Sequence, residues 1–166
     1  MFLDDPHYDR RPYDPWTGYG QSKTANILFA VALDEREKSH GIRAFSLHPG
    51  AIVDTGLGKY VPREQLVAAG VLDGQGKPIL DPARQLKTVG QGAATQVWCA
   101  TNPQLNGKGG VYCENVDVAP LMVTQPTITG MSDAMRLTGV APYAVDRVNA
   151  EGLWKLSEKL LGIQPA

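Results

Sequence analysis

Cysteine is nearly absent: Cys99 and Cys113 are the only two in 166 residues. They form no Cys-x-x-Cys pair and no histidine clusters beside them, so the sequence suggests neither a zinc site nor a disulfide framework. Two reduced thiols in a cytoplasmic protein is the plain reading. Long apolar runs are also missing. No stretch approaches the ~18 residues of a membrane span, and Asp4, Asp5 and Asp9 stand where a signal peptide would carry lysines and an apolar core. Charge of one sign is lacking too, since 16 Lys and Arg face 17 Asp and Glu for a formal net charge of −1. That balance leaves no basic footprint for nucleic acid or an anionic membrane. His7, His40 and His48 share no metal-ligand spacing, and the Asp73 turn lacks the alternating acids of a calcium loop. Gly20-Gln-Ser22-Lys-Thr24 has no second glycine, which argues against the nucleophile elbow of a hydrolase. What remains is a soluble cytoplasmic chain the size of one domain, large enough to bury a core.

The most informative stretch that is present runs from Tyr19 to Lys23 and on into Thr24-Ala-Asn-Ile-Leu-Phe. A phenol and an ammonium four residues apart share one helical face, with β-carbons roughly 6 Å apart. A free tyrosine titrates near pH ~10, too high for a good general base, and a neighbouring cation favours the phenolate. At about 5 Å the attraction is roughly 3 kcal/mol at an effective dielectric near 20, but only about 0.8 kcal/mol in bulk water. The pair therefore needs a buried helix to do chemistry.

Around this helix the chain alternates. Residues 1–18, rich in Pro, Asp and Arg, read as an irregular surface lead-in. Residues 20–40 read as a helix whose first half is buried through Ile27 to Leu33. Asp34 to Lys38 mark its exposed end and Gly41 caps it. Ile42 to Leu47 suits a buried strand that ends at His48-Pro49-Gly50. Residues 51–87 are irregular, with a short helix after Pro62 and a turn at Asp73 to Gly76. The stretch 88–166 reads as helix, strand, helix. Thr88 and Gln91 form a capping box, and Ala93, Ala94, Val97, Trp98 and Ala100 define a helix ending at Asn102-Pro103. Gly109-Gly110 leads into the strand Val111 to Cys113, and Val148, Leu153, Leu156 and Leu160 keep helical spacing between Asp146 and Gly162. This order of helix, strand, helix, strand, helix belongs to an α/β layered fold with two visible strands.

Three motifs in this order, Tyr19-x-x-x-Lys23 opening a helix, Leu47-His-Pro-Gly50 after a strand, and Gly109-Gly-Val-Tyr112 before the closing strand, resemble the C-terminal half of a short-chain dehydrogenase/reductase. The similarity is greatest to the retinol-dehydrogenase-like branch and runs from Tyr19 to the C-terminus. It implies the C-terminal half of a Rossmann-type doubly wound parallel sheet, and hydride transfer between NAD or NADP and an alcohol or carbonyl substrate. Tyr19 would be the catalytic acid/base, and Lys23 would stabilise its phenolate and bind the nicotinamide ribose. Pro49 and Gly50 would form the turn beside the nicotinamide, where glycine permits close backbone approach, with Ile52 in the same cofactor-binding turn. Thr55, six positions after the proline where the family usually has five, would meet the carboxamide unless Asp54 has displaced it. Residues 56–70 hold the substrate-lid position, with Leu57, Tyr60, Val61, Leu66 and Val67 as apolar lining or as core cover. Tyr112 and Cys113 read as core. Asn26 reads as a packing residue, since the family's catalytic asparagine comes from another helix. The helix at 20–40 resembles the one the family uses for homo-oligomers.

The N-terminal dinucleotide-binding strands, the glycine-rich turn that meets the pyrophosphate and the family's catalytic serine have no counterpart in these residues. Three expectations stay open: a fragment or truncated reading frame of a complete reductase, an enzyme completed by another chain or by its own dimer partner, and a non-catalytic dimerisation or scaffold module.

Overall fold

The computed structural model describes residues 3–52, 55–124 and 136–163. Helix α1 spans Pro15–Glu37, strand β1 Phe45–His48, α2 Arg63–Ala68, α3 Val89–Thr101, β2 Val111–Glu114, β3 Asp117–Val118 and α4 Arg147–Leu161, with short 3-10 turns between. The three strands form one sheet in the order β1, β2, β3, so the fold is mixed α/β. The chain gathers into two compact units, one made of Met1–Ser46, Leu105–Tyr112 and Val140–Ala166, the other of Leu47–Gln104 and Cys113–Gly139. Among the described residues no helix is long and apolar enough to cross a membrane.

In the first unit α1 begins at Pro15 rather than Gly20, because the Asp14 carboxylate accepts the Thr17 N–H at 2.7 Å and Pro15 stands at the first helical position. Proline there gives up an amide that would have no partner anyway. The lead-in is not a bare surface segment either. Asp5 is 2% exposed, accepting the Asp9 N–H at 2.8 Å and Arg11 Nε at 2.8 Å. Burial opposes ionisation of Asp5, but the Arg11 bond and the Asp9 and Arg10 amides outweigh it and hold its pKa below the usual carboxylate value.

The buried apolar stretch of α1 falls within Ile27 to Leu33, as expected, but it makes up the second half of the helix because α1 starts at Pro15. Leu28, Val31 and Ala32 pack with Ala150 and Leu153 of α4 as a core, flanked by Leu3, Ala25, Val145 and Trp154. Trp16 and Tyr19, by contrast, are 69% and 51% exposed, because α4 meets the apolar stripe only from Ala25 onward. Val148 and Leu160 share the expected helical spacing with Leu153 yet face solvent, whereas Ala150 and Leu153 are buried in the core with α1. Phe29 stacks on Trp154 with ring centroids 5.6 Å apart, and Arg36 lies over the same indole while pairing with Glu151 at 2.7 Å.

Asp34, expected at an exposed helix end, is instead buried. Its carboxylate accepts Arg43 Nε and Nη2, both at 2.9 Å, and the Ala44 N–H at 3.0 Å. The Gly109-Gly110 turn crosses directly over it: a β-carbon on Gly109 would fall 1.8 Å from Asp34 Oδ1. Gly110, with φ of +64°, donates its N–H to Ala44 O at 2.8 Å. The helix end, the lead into β1 and the lead into β2 are thus fixed by one carboxylate.

In the second unit the capping box expected at Thr88 and Gln91 is present. The buried positions of α3 are Gly92 and Thr95, while Val97 is 60% exposed, so small and polar residues face inward. A strand beyond the two expected appears because Asn115 and Val116, with φ of 52° and 57°, make a two-residue hairpin turn. Cys113 pairs with Val118 and Glu114 with Asp117, antiparallel. Two positive φ values in succession suit the right-handed twist of a hairpin but rarely include valine, so the sequence hid the turn. The Val116 N–H donates to Thr95 Oγ1 at 3.2 Å, tying the hairpin to α3.

The Arg43 bonds, together with the Ala44 N–H, hold the Asp34 carboxyl below the usual carboxylate range against the opposing effect of burial. Its contribution to stability is therefore complete above about pH 4 and is lost as pH falls through the folded-state value. Replacing Arg43 by methionine leaves the carboxylate buried and unpaired, and is expected to cost about 3 kcal/mol in urea unfolding at neutral pH. Asp34→Asn is expected to flatten the acid limb of the stability curve, and an unchanged acid limb would refute the assignment.

Candidate active site

Tyr19 and Lys23 stand one turn apart on α1, within the first unit. The Lys23 ammonium lies 5.2 Å from the centre of the Tyr19 ring, so the structure brings the expected pair together. Such a cation over an exposed ring is worth about 0.5–1 kcal/mol. That is the aqueous end of the range the sequence allowed, because the ring is half exposed. Ser22 donates its hydroxyl to Tyr19 O at 2.7 Å, a local helical bond that leaves the phenol uninvolved. Asn26, expected to pack, is exposed. On another side of α1 lies a hollow of about 370 Å³ lined by Pro6, Tyr8, Tyr13, Gln21 and Ser22 among others, but not by Tyr19 or Lys23. Gln21 Nε2 donates to Pro6 O at 3.2 Å, and Tyr8 meets Tyr13 edge to face, which folds the N-terminal segment back along α1.

The second unit holds the Pro49-Gly50 turn. Gly50 has φ of +88°, and a β-carbon there would lie 2.7 Å from Lys87 Cδ and 2.8 Å from Gln85 O. The Ala51 N–H donates to Gln85 O at 2.7 Å and the Lys87 N–H returns to Ala51 O at 3.1 Å, a parallel bridge. Ile52 closes the other side against Gly92, where any β-carbon would be 2.2 Å from Ile52 Cδ1. Thr55 donates to Ile52 O at 3.2 Å and so caps the same backbone. Pro49, Gly50, Ile52 and Thr55 therefore belong to one clamped turn. Val53 and Asp54, and with them the suggestion that Asp54 displaces Thr55, lie outside the described residues, as does the Leu57 side chain. Of the expected lid lining, Tyr60 is 85% exposed, whereas Val61 and Leu66 are half-buried.

Sequence reasoning missed Lys87. Its side chain is buried beneath the turn, with Nζ 2.5 Å from Asn115 Oδ1. Burial pushes its pKa down, and Glu114 partly opposes this. A lysine ahead of a helix cap carries no sign of burial; only the hairpin that supplies Asn115 creates the pocket for it. His48 retains an exposed edge, yet crowding by the protein and then the Lys87 charge lower its pKa. Its Nδ1 accepts the Gly50 N–H at 3.2 Å, which requires the neutral ring. Among the described residues no group of three or more His, Cys, Asp and Glu could hold a metal ion.

Two outcomes follow from the clamp. Gly50→Ala is expected to lose about 2–3 kcal/mol of stability from the left-handed backbone and the clash, while Gly56→Ala, in open space, stays within about 0.5 kcal/mol. Equal effects of the two changes in urea unfolding would discard the clamp. Because the folded state favours neutral His48, stability should fall as pH drops below about 6.5. Its ring titration by NMR should move up when Lys87 is replaced by methionine.

No protein-family model matches the chain. Curated relatives do. The probable oxidoreductase of Streptomyces lividans is 42% identical over 153 residues, covering 92% of this chain and 48% of that protein. Oxidoreductase calI of Penicillium decumbens is 37% identical over 158 residues, covering 92% and 41%. Short-chain dehydrogenase/reductase prx1 of Penicillium roqueforti is 34% identical over 151 residues, covering 91% and 40%. The crystal structure of an uncharacterised protein from Mycobacterium Paratuberculosis superposes with a TM-score of 0.55 at 25% identity, over 99% of this chain and 46% of that one. The chain thus spans under half the length of each of these proteins, and over nearly all of its own length it is homologous to proteins named oxidoreductase and short-chain dehydrogenase/reductase.

Proposed function

We propose that this chain carries the proton-transfer half of an NAD(P)-dependent oxidoreductase site, built on the second half of a Rossmann-type sheet. In this reading a nicotinamide exchanges hydride with the carbon of an alcohol or carbonyl compound. Tyr19 passes a proton to or from the oxygen, and Lys23 stabilises the phenolate and binds the ribose. The Pro49-Gly50 turn, with Ile52 and Thr55, offers its backbone to the carboxamide side of the cofactor. The observation that carries the reading is the Tyr19 and Lys23 pair, 5.2 Å apart on one helix in a chain whose relatives are named oxidoreductases. The half-exposed phenol means that water must be excluded from this face when chemistry occurs, since the cation's effect grows several-fold as the local dielectric falls.

A second reading is favoured by the exposure of Trp16 and Phe29, at 69% and 50%, along α1. Here the chain is a non-catalytic module that pairs with a second copy through that helix, and large exposed aromatics favour such association.

The purified protein is expected to enhance the fluorescence of NADH or NADPH and to reduce apolar carbonyl compounds. Tyr19→Phe should lower kcat by about 10²- to 10⁴-fold with the helix signal in circular dichroism unchanged. Undiminished turnover in that variant would remove Tyr19 from the chemistry. A stable dimer indifferent to both cofactors would instead select the second reading.

A further inference from the structure

We infer that Gln85 is a specificity-determining residue of the Pro49-Gly50 turn, pairing its side-chain amide with the carboxamide of a nicotinamide ring, an assignment that rests on the cofactor reading of that turn. It adds to the turn a side chain from a separate stretch of the second unit.

Backbone bonds alone bring Gln85 to the turn. Asp81 and Leu86 exchange both of their backbone hydrogen bonds at 3.0 Å, and the Asp81 carboxylate accepts the Ala83 N–H at 3.1 Å, so Pro82 to Gln85 form a tight loop. Its last residue is left-handed, with φ of +59° at Gln85. The Gln85 carbonyl accepts the Ala51 N–H at 2.7 Å and lies 2.8 Å from where a β-carbon on Gly50 would stand. Glycine or asparagine would take up this conformation with less strain, so the loop itself gives no reason for glutamine.

Folding accounts for the side chain even less. Gln85 is 4% exposed, yet its Oε1 is buried with no hydrogen-bond partner, and among the described residues the amide makes no hydrogen bond at either end. A buried amide oxygen without a donor destabilises the fold, whereas an apolar side chain of the same shape would fill the space without that cost. Strain and an orphaned acceptor thus fall on one residue, in contact with the glycine turn. Binding positions are where such costs persist. The chemistry of the group then selects the ligand. A primary amide presents an acceptor and a donor side by side, and a second primary carboxamide offers the complementary pair, so two parallel hydrogen bonds can form. The buried Lys87 ammonium does not compete for the Gln85 oxygen, because it is held by Asn115 Oδ1. No hydrogen bond anchors the Gln85 amide, so turning it about its side-chain torsions to meet a ring at the turn breaks nothing.

The test is an NMR titration of the intact, isotope-labelled chain with millimolar nicotinamide and, in parallel, with nicotinic acid, whose carboxylate lacks the donor. Nicotinamide is expected to shift the Gln85 side-chain amide together with the backbone amides of Gly50 and Ala51, and nicotinic acid to bind about tenfold more weakly. Gln85→Met, of similar shape, should weaken nicotinamide binding about tenfold and erase the preference over nicotinic acid. Its melting temperature should equal or exceed that of the parent, because the orphaned oxygen is gone. Gln85→Asn suits a left-handed backbone but is one methylene shorter, so it should also keep the fold and lose binding. Shifts at Gly50 and Ala51 that are equal in the parent and in Gln85→Met would overturn the role of Gln85 and leave the cofactor reading of the turn intact. No shift at the turn in the parent would overturn both. A melting temperature several degrees lower in Gln85→Met and Gln85→Asn alike would show that the amide serves the fold, and would overturn the assignment as well.

Discussion

One carboxylate organises the first unit. Asp34 is buried at the end of the long helix α1, and ionised carboxylates are tolerated there only when their oxygens are filled by donors. Arg43 and the Ala44 amide supply those donors, and the two glycines at 109 and 110 leave the room that the carboxylate needs. The arrangement works in both directions. Asp34 fixes where the chain turns toward β1 and where it returns toward β2, while those two turns fix the C-terminal half of α1. With that half anchored against α4, the half that bears Tyr19 and Lys23 projects from a firm base with its aromatic face exposed.

The second unit uses a different device for the same purpose. Among its described residues no ionised pair dominates it; a backbone bridge between Ala51 and the Gln85 to Lys87 segment holds the Pro49-Gly50 turn, and the aliphatic stem of Lys87 fills the space a side chain at Gly50 would need. The hairpin at Asn115-Val116 completes this clamp by receiving the Lys87 ammonium. The hairpin in turn depends on Thr95 for its strained valine. The Pro49-Gly50 turn is therefore held by residues from three separate stretches of sequence.

Much of this was legible locally. The helix-capping residues Thr88, Gln91, Asp146 and Gly162 act where they were expected, because caps depend on dihedral angles and side chains within four residues. The Tyr19 and Lys23 pair was legible for the same reason. What failed were statements about burial. Asp34 looked like part of a charged, exposed helix end, and Asn26 like a packing residue, since a helical stripe gives the spacing of a face without saying what covers it. Lys87 was silent because lysine is almost never a buried residue unless distant partners are supplied. The β3 strand was missed because valine at a positive φ violates the local preference by which such turns are recognised.

The sequence alone determined the α/β order, the capped boundaries of α3 and α4, and the resemblance to oxidoreductases, since each rests on short-range geometry or on motifs in a fixed order. Tertiary structure decided that Asp34 is buried at the end of α1, that Trp16 and Tyr19 stay exposed, and that Lys87 lies beneath the glycine turn. These depend on which remote surface closes over a given face. Burial is the property that sets the strength of every charge and the reactivity of every thiol in the molecule, and it belongs to the packed chain rather than to any window of residues.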